Sequence, residues 1–144
     1  MSEIKKLREE TGLSVMECKD ALEQARGDLE KARQILKDKA KEFKKREGRE
    51  TKAGFIEAYT HNGKIGVLVE VCCETDFVAK TFEFKDFVHD LALQIASMDP
   101  ANEKELLKQP FVKDETKTIS DLLSEKIAKT GENIKISRFL RWQL

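Results

Sequence analysis

A surplus of either charge is missing from this sequence, and so are the usual marks of a secreted, membrane-bound or catalytic protein. The 27 basic and 27 acidic side chains cancel, which leaves no one-signed field of the kind that holds DNA or RNA, and no direct nucleic-acid partner is expected. Charges so balanced read as solvated helix faces. No apolar run approaches the roughly 20 residues that span a bilayer. The start, Met1-Ser2-Glu3-Ile4-Lys5-Lys6, lacks the apolar stretch of a signal peptide. These absences predict a cytoplasmic protein with no membrane contact.

Cysteine is scarce and odd in number: Cys18, Cys72 and Cys73. The last two are adjacent in a strand-like run, where neighbours point to opposite faces, so a disulfide framework is not expected. A metal site needs about four ligands, and only His61 and His89 could join the thiols. The cysteines read as buried small hydrophobes. There is no Walker-type phosphate loop, no G-x-S-x-G elbow and no H-E-x-x-H. Nothing in the spacing brings a cysteine to a histidine as nucleophile and base. No catalytic residue, cofactor or metal is expected.

What is present suits one ordinary domain, or a small domain tethered to a modest one: 144 residues, 40% of them hydrophobic. The first third predicts three short helices. Ser2 can cap a helix carrying Ile4 and Leu7 that ends near Thr11-Gly12; Ser14 and Glu17 form a capping box for a second. That second helix sets Val15, Cys18, Ala21, Leu22 and Ala25 on one face. Gly27 ends it, and Asp28 caps a third with Leu29, Ala32, Ile35 and Leu36 inward. From Lys39 to Lys52 the apolar period fades, which predicts a linker with two readings: a helical tail fraying into a solvated tether, or a phosphate contact interrupted by acidic residues.

Beyond Gly54 the period becomes two. Phe55 to Thr60 and Ile65 to Cys72 predict a β-hairpin, joined by a turn whose Asn62-Gly63 favours positive φ. Thr81 to Met98 returns to helical spacing, with Phe84, Phe87, Val88, Leu91 and Ile95 in one stripe and Pro100 as its close. After a short polar connection and Gln109-Pro110-Phe111-Val112, a further helix carries Ile119, Leu122, Leu123 and Ile127 up to Gly131, and Glu132 to Trp142 reads as a closing strand. The fold class is α+β: a three-helix module followed by a three-stranded antiparallel sheet with helices on one face.

One segment has no place in this pattern. Glu74-Thr75-Asp76-Phe77-Val78-Ala79-Lys80 puts a second apolar pair across a turn that follows a finished strand. From pattern alone Phe77 is either a staple onto its own core or an aromatic that projects outward.

Two stretches decide the matter by resemblance. Leu7-Arg8-Glu9-Glu10-Thr11-Gly12, with Met16 to Leu22 and Gly27 to Ala32, resembles the ubiquitin-associated-type amino-terminal module of the elongation factor Ts family. Gly63 to Ala79 resembles that family's core signature, and Gln109 to Asp114 and Gly131 to Phe139 fit in the same order. The resemblance implies a ubiquitin-associated-like module over 1–47 and an elongation factor Ts core, or dimerisation, domain over 48–144. It implies a guanine-nucleotide exchange factor, not an enzyme, that promotes GDP release from elongation factor Tu in its GDP- and Mg-bound form. The implied wedge is Thr75, Asp76, Phe77 and Val78, with Phe77 pressed between two helices of the partner. Arg8, Val15 and Met16 are implied as contacts of the amino-terminal module, though the family often has methionine where Val15 stands. His61 matches a position near the partner's phosphate loop.

The sequence also departs from many family members. It has one core half where they have two, and only Asp99 to Lys108 stands where a long helical arm is expected. With wedge and turn on a single half, a homodimer is expected, one subunit presenting the wedge and the other the turn. One rival reading is a dimeric binding adaptor of elongation factor Tu that has lost exchange; a second, a basic-linker RNA-binding accessory protein, is opposed by the balanced charge.

Overall fold

A computed structural model describes residues 2–144, the side chains of residues 43 and 44 excepted. Three helices open the chain: α1 (Glu3–Thr11), α2 (Val15–Gln24) and α3 (Leu29–Glu47). Their ends follow the local chemistry. The Ser2 hydroxyl accepts from the Lys5 amide and Gly12, at φ 72°, closes α1; the Ser14–Glu17 capping box forms in both directions; Asp28 accepts from the Glu30 and Lys31 amides. The apolar stripes meet in a small core of Leu7, Leu13, Cys18, Ala21, Ala25, Ala32 and Leu36.

The expected linker starts later than the sequence suggested, because α3 continues to Glu47. Loss of apolar period marks where the helix leaves the core, not where it ends. Lysine, glutamate and arginine are good helix formers, and a Glu42–Arg46 pair at 3.7 Å supports the last turns. Phe43 and Lys44, inside that expected linker, have side chains outside the described residues.

The rest comprises β1 (Ala53–His61), β2 (Ile65–Cys73), α4 (Asp76–Ala79), α5 (Phe82–Met98), α6 (Glu103–Lys108), β3 (Pro110–Phe111), β4 (Asp114–Thr118), α7 (Ile119–Thr130) and β5 (Ile134–Gln143). The main sheet is antiparallel in the order β1-β2-β5, with β3 and β4 forming a separate small pair. Asn62 and Gly63, at φ 53° and 65°, make the predicted hairpin turn. The α+β fold class is as expected.

Three features were not legible. The wedge segment contains the short α4. The polar connection holds α6, six residues capped by Asn102, with Leu106 fully buried; one apolar pair is too little for a period to show. Helix α5 is closed by Asp99, at φ 43°, and not by Pro100, which follows it.

Alternation along β2 divides the sheet. Val67, Val69, Val71 and Cys73 lie under Phe84, Phe87, Val88, Leu91 and Ile95 of α5, joined by Leu106, Ile119, Ile134 and Ile136. The opposite face, with Ile56, Leu68 and Leu140, is uncovered. On it Leu68 sits between Ala58 and Leu140, and Glu70 between Ile56 and Arg138, just before the register slips by one residue on β5.

Candidate functional site

Strand β2 ends at Cys73, and the chain then turns outward before α5 begins. Thr75 caps α4, its hydroxyl accepting from the Val78 amide at 3.4 Å. Asp76 and Phe77 open this single turn of helix, and Phe77 is 88% exposed. A phenylalanine so bare is not packed onto a core among the described residues, which goes against the staple reading. Val78 is half-buried against the core and Ala79 is buried. Of the four wedge residues, Asp76 and Phe77 therefore form the tip, while Thr75 and Val78 are its footing.

A second exposed aromatic was missed from the sequence. Phe82, the first residue of α5, is 79% exposed. Its signal was present: it lies outside the inward stripe of Phe84, Phe87, Val88, Leu91 and Ile95.

The three candidates in the helical region behave differently from one another. Met16 is exposed, and Val15 is half-buried. Arg8 is engaged inside the chain: its guanidinium pairs with the buried carboxylate of Asp121, which also accepts from the Thr118 amide as part of the α7 capping box. This pair joins α1 to α7 across the chain.

His61 lies at the hairpin turn, exposed, with Nδ1 3.0 Å from the Tyr59 hydroxyl. Tyr59 also meets the His89 ring edge-on at 6.2 Å between centroids. The hairpin turn and the Asp76–Phe77 tip leave opposite ends of β2, whose nine residues span about 26 Å at roughly 3.3 Å per step. One subunit cannot bring both to a single point.

The thiols follow the two faces of the sheet. Burial raises Cys73 to about 11 and pushes Cys72 upward as well. Neither environment favours a thiolate nucleophile. Among the described residues there is no group of three or more His, Cys, Asp or Glu side chains that could hold a metal ion, and no helix is long and apolar enough to cross a membrane.

Asp76 and Phe77 thus form an exposed tip on a capped turn. The chain is 45% identical to the elongation factor Ts of Coprothermobacter proteolyticus, over 98% of this chain and 95% of that protein. It belongs to the elongation factor Ts family. The elongation factor Ts of Thermotoga maritima is 43% identical over 100% of this chain and 95% of its own length, and that of Carboxydothermus hydrogenoformans 44% over 98% and 87%. The family model described as elongation factor TS matches residues 74–144, a span that takes in the exposed turn at Asp76 and Phe77. The alignment to the Coprothermobacter protein runs over 188 positions, against 144 residues here. The relatives thus carry a substantial internal stretch that this chain does without.

Proposed function

We propose that this chain is a guanine-nucleotide exchange factor for elongation factor Tu, acting on the GDP- and Mg-bound form during translation elongation. The observation that carries the proposal is the exposure of Phe77 on a turn anchored by Thr75, Val78 and Ala79. Asp76 and Phe77 enter between two helices of the partner's nucleotide-binding domain, and Thr75 and Val78 hold them out.

Burying a phenylalanine of about 150–250 Å² at roughly 25 cal/mol per Å² makes a few kcal/mol available. About 1.4 kcal/mol of coupling changes nucleotide affinity tenfold, and the coupling is reciprocal: a bound nucleotide weakens the factor as much as the factor weakens the nucleotide. The phosphates are gripped largely by Mg²⁺ and the phosphate-loop backbone, so displacing the elements that carry these loosens the whole ligand. Release needs no covalent step, and the factor is no enzyme in that sense. It works in the cytoplasm, where translation runs.

The module over 1–47 supplies a second contact through Met16, Val15 and Arg8. For Arg8 to reach the partner it must leave Asp121 or share its guanidinium with it. The core domain over 48–144 forms a homodimer through the uncovered sheet face, where Ile56, Leu68 and Leu140 are too apolar to be left in water without cost. A two-fold axis across β2 then sets the His61 turn of one subunit near the wedge of the other.

The test is release of a fluorescent GDP analogue from purified elongation factor Tu with catalytic amounts of this chain. Acceleration with turnover supports exchange. Binding without acceleration leaves a dimeric adaptor. Light scattering after size exclusion at micromolar concentration tests the homodimer, and a clean monomer contradicts it.

A further inference from the structure

The tip of the wedge poses a positional problem that its own residues do not solve. A four-residue helix is far below the length at which a helix holds itself, and Phe77 touches too little of the protein to be fixed by packing. Downstream, Val78 and Ala79 fasten the turn to the core. Upstream, the fastening comes from a residue 57 positions away in sequence.

The carboxylate of Glu132 accepts hydrogen bonds from both backbone amides that lead into the turn, Glu74 and Thr75, each at 3.0 Å through Oε1. Its other oxygen accepts from the Thr75 hydroxyl at 2.6 Å. The arrangement is returned in the opposite direction: the Glu74 carboxylate accepts from the Asn133 amide at 2.5 Å. Asn133 in turn donates from Nδ2 to the carbonyls of Glu47 and Arg49, at 3.3 and 2.9 Å, where α3 gives way to the sheet. Glu132 is itself held, its amide donating to the Thr130 hydroxyl at 3.2 Å beyond Gly131, the left-handed cap of α7. A carboxylate that accepts three hydrogen bonds from one short segment fixes both its direction and its rotation, since charge-assisted bonds are the stronger kind and here converge on two consecutive residues.

We propose that Glu132 is a positioning residue for nucleotide exchange, holding the Glu74–Thr75 backbone so that Phe77 is presented outward in the pose in which it enters the partner. The proposal rests on the reading of Phe77 as the wedge. Order established before contact need not be created during binding, so affinity is not lost to it. Glu132 touches neither partner nor nucleotide in this role; it acts only through Phe77.

That dependence supplies the test. GDP release from elongation factor Tu is measured with the wild type, Glu132→Ala, Phe77→Ala and the double variant, together with the thermal unfolding of each. Glu132→Ala alone is expected to reduce the acceleration about five-fold, the scale of one net hydrogen bond, while adding less than about two-fold in the Phe77→Ala background. Glu132→Gln keeps a carbonyl oxygen for the two amides and is expected to restore most of the loss; Glu132→Leu, which removes every acceptor at similar side-chain length, takes the place of the alanine variant in the cycle if the latter does not fold. Wild-type acceleration in Glu132→Ala, or an equal loss in both backgrounds, overturns the positioning role. If the wild type itself fails to accelerate release, the exchange reading falls first, and this one with it.

Discussion

The two faces of the main sheet are built from alternate residues of the same strands, yet one is covered by α5 and the other is open. On the covered face Val67, Val69, Val71 and Cys73 are buried under α5. On the open face Leu68 is 47% exposed, beside Leu140, Ile56 and the Glu70–Arg138 pair, whose atoms are 2.9 Å apart. One face is packed into the core, and the other is left uncovered by the chain's described residues. The contrast teaches that an apolar residue in a strand does not by itself report a core: its partner across the face decides.

The largest effect that would sharpen this contrast is on the covered side. Phe87→Ala should cost about 3–5 kcal/mol in urea unfolding, the usual consequence of a cavity under a large buried ring. Leu68→Asp is the reverse experiment. It should leave the unfolding of the dilute protein almost unchanged but shift the dimer–monomer midpoint in light scattering by about a hundredfold, because an unpaired carboxylate would be buried between subunits. If Leu68→Asp unfolds the monomer and leaves the dimer intact, the assignment of the two faces is wrong.

The adjacent cysteines report the same division more gently. Cys72 looks to the open face and is half-buried, whereas Cys73 is fully buried with its thiol pushed up to about 11. At pH 8 a disulfide reagent should modify Cys72 at least about tenfold faster than Cys73, since the thiolate is the reacting form. Dimerisation should slow Cys72 alone.

How far the sequence reached can be judged from particular residues. The caps at Ser2, Ser14 and Asp28, the turn at Asn62-Gly63 and the α5 stripe are local signals, and all were readable because each element's chemistry lies within it. The end of α3, the six residues of α6 and the small β3–β4 pair were not. The α6 turn and the β3–β4 pair are held by distant contacts, such as Leu106 in the shared core and Gln94, whose side chain accepts from the Val112 amide at 2.9 Å. The wedge was named by resemblance and not by pattern. That Arg8 is occupied by Asp121, and that Glu132 grips Glu74 and Thr75, depend on separations of 113 and 57 or 58 residues that no periodicity records.

The smallest expected effect concerns pH. The Arg138 guanidinium beside Glu70 holds its carboxyl below the usual glutamate range. A carboxyl whose folded value is depressed adds stability above its unfolded range and loses it as pH falls through the folded value. The Glu70 contribution should therefore be complete at neutral pH and fade only in acid, and salt should weaken it. In Arg138→Met the Glu70 titration, followed by carbon chemical shift, should move up toward the ordinary value.

The central claim is that Phe77 acts as the wedge, and stopped-flow release of a fluorescent GDP analogue from elongation factor Tu tests it directly. The wild type should accelerate release, and Phe77→Ala, an exposed substitution that leaves the fold intact, should lose at least about tenfold of that acceleration, the equivalent of about 1.4 kcal/mol. Acceleration by Phe77→Ala equal to that of the wild type would contradict the account.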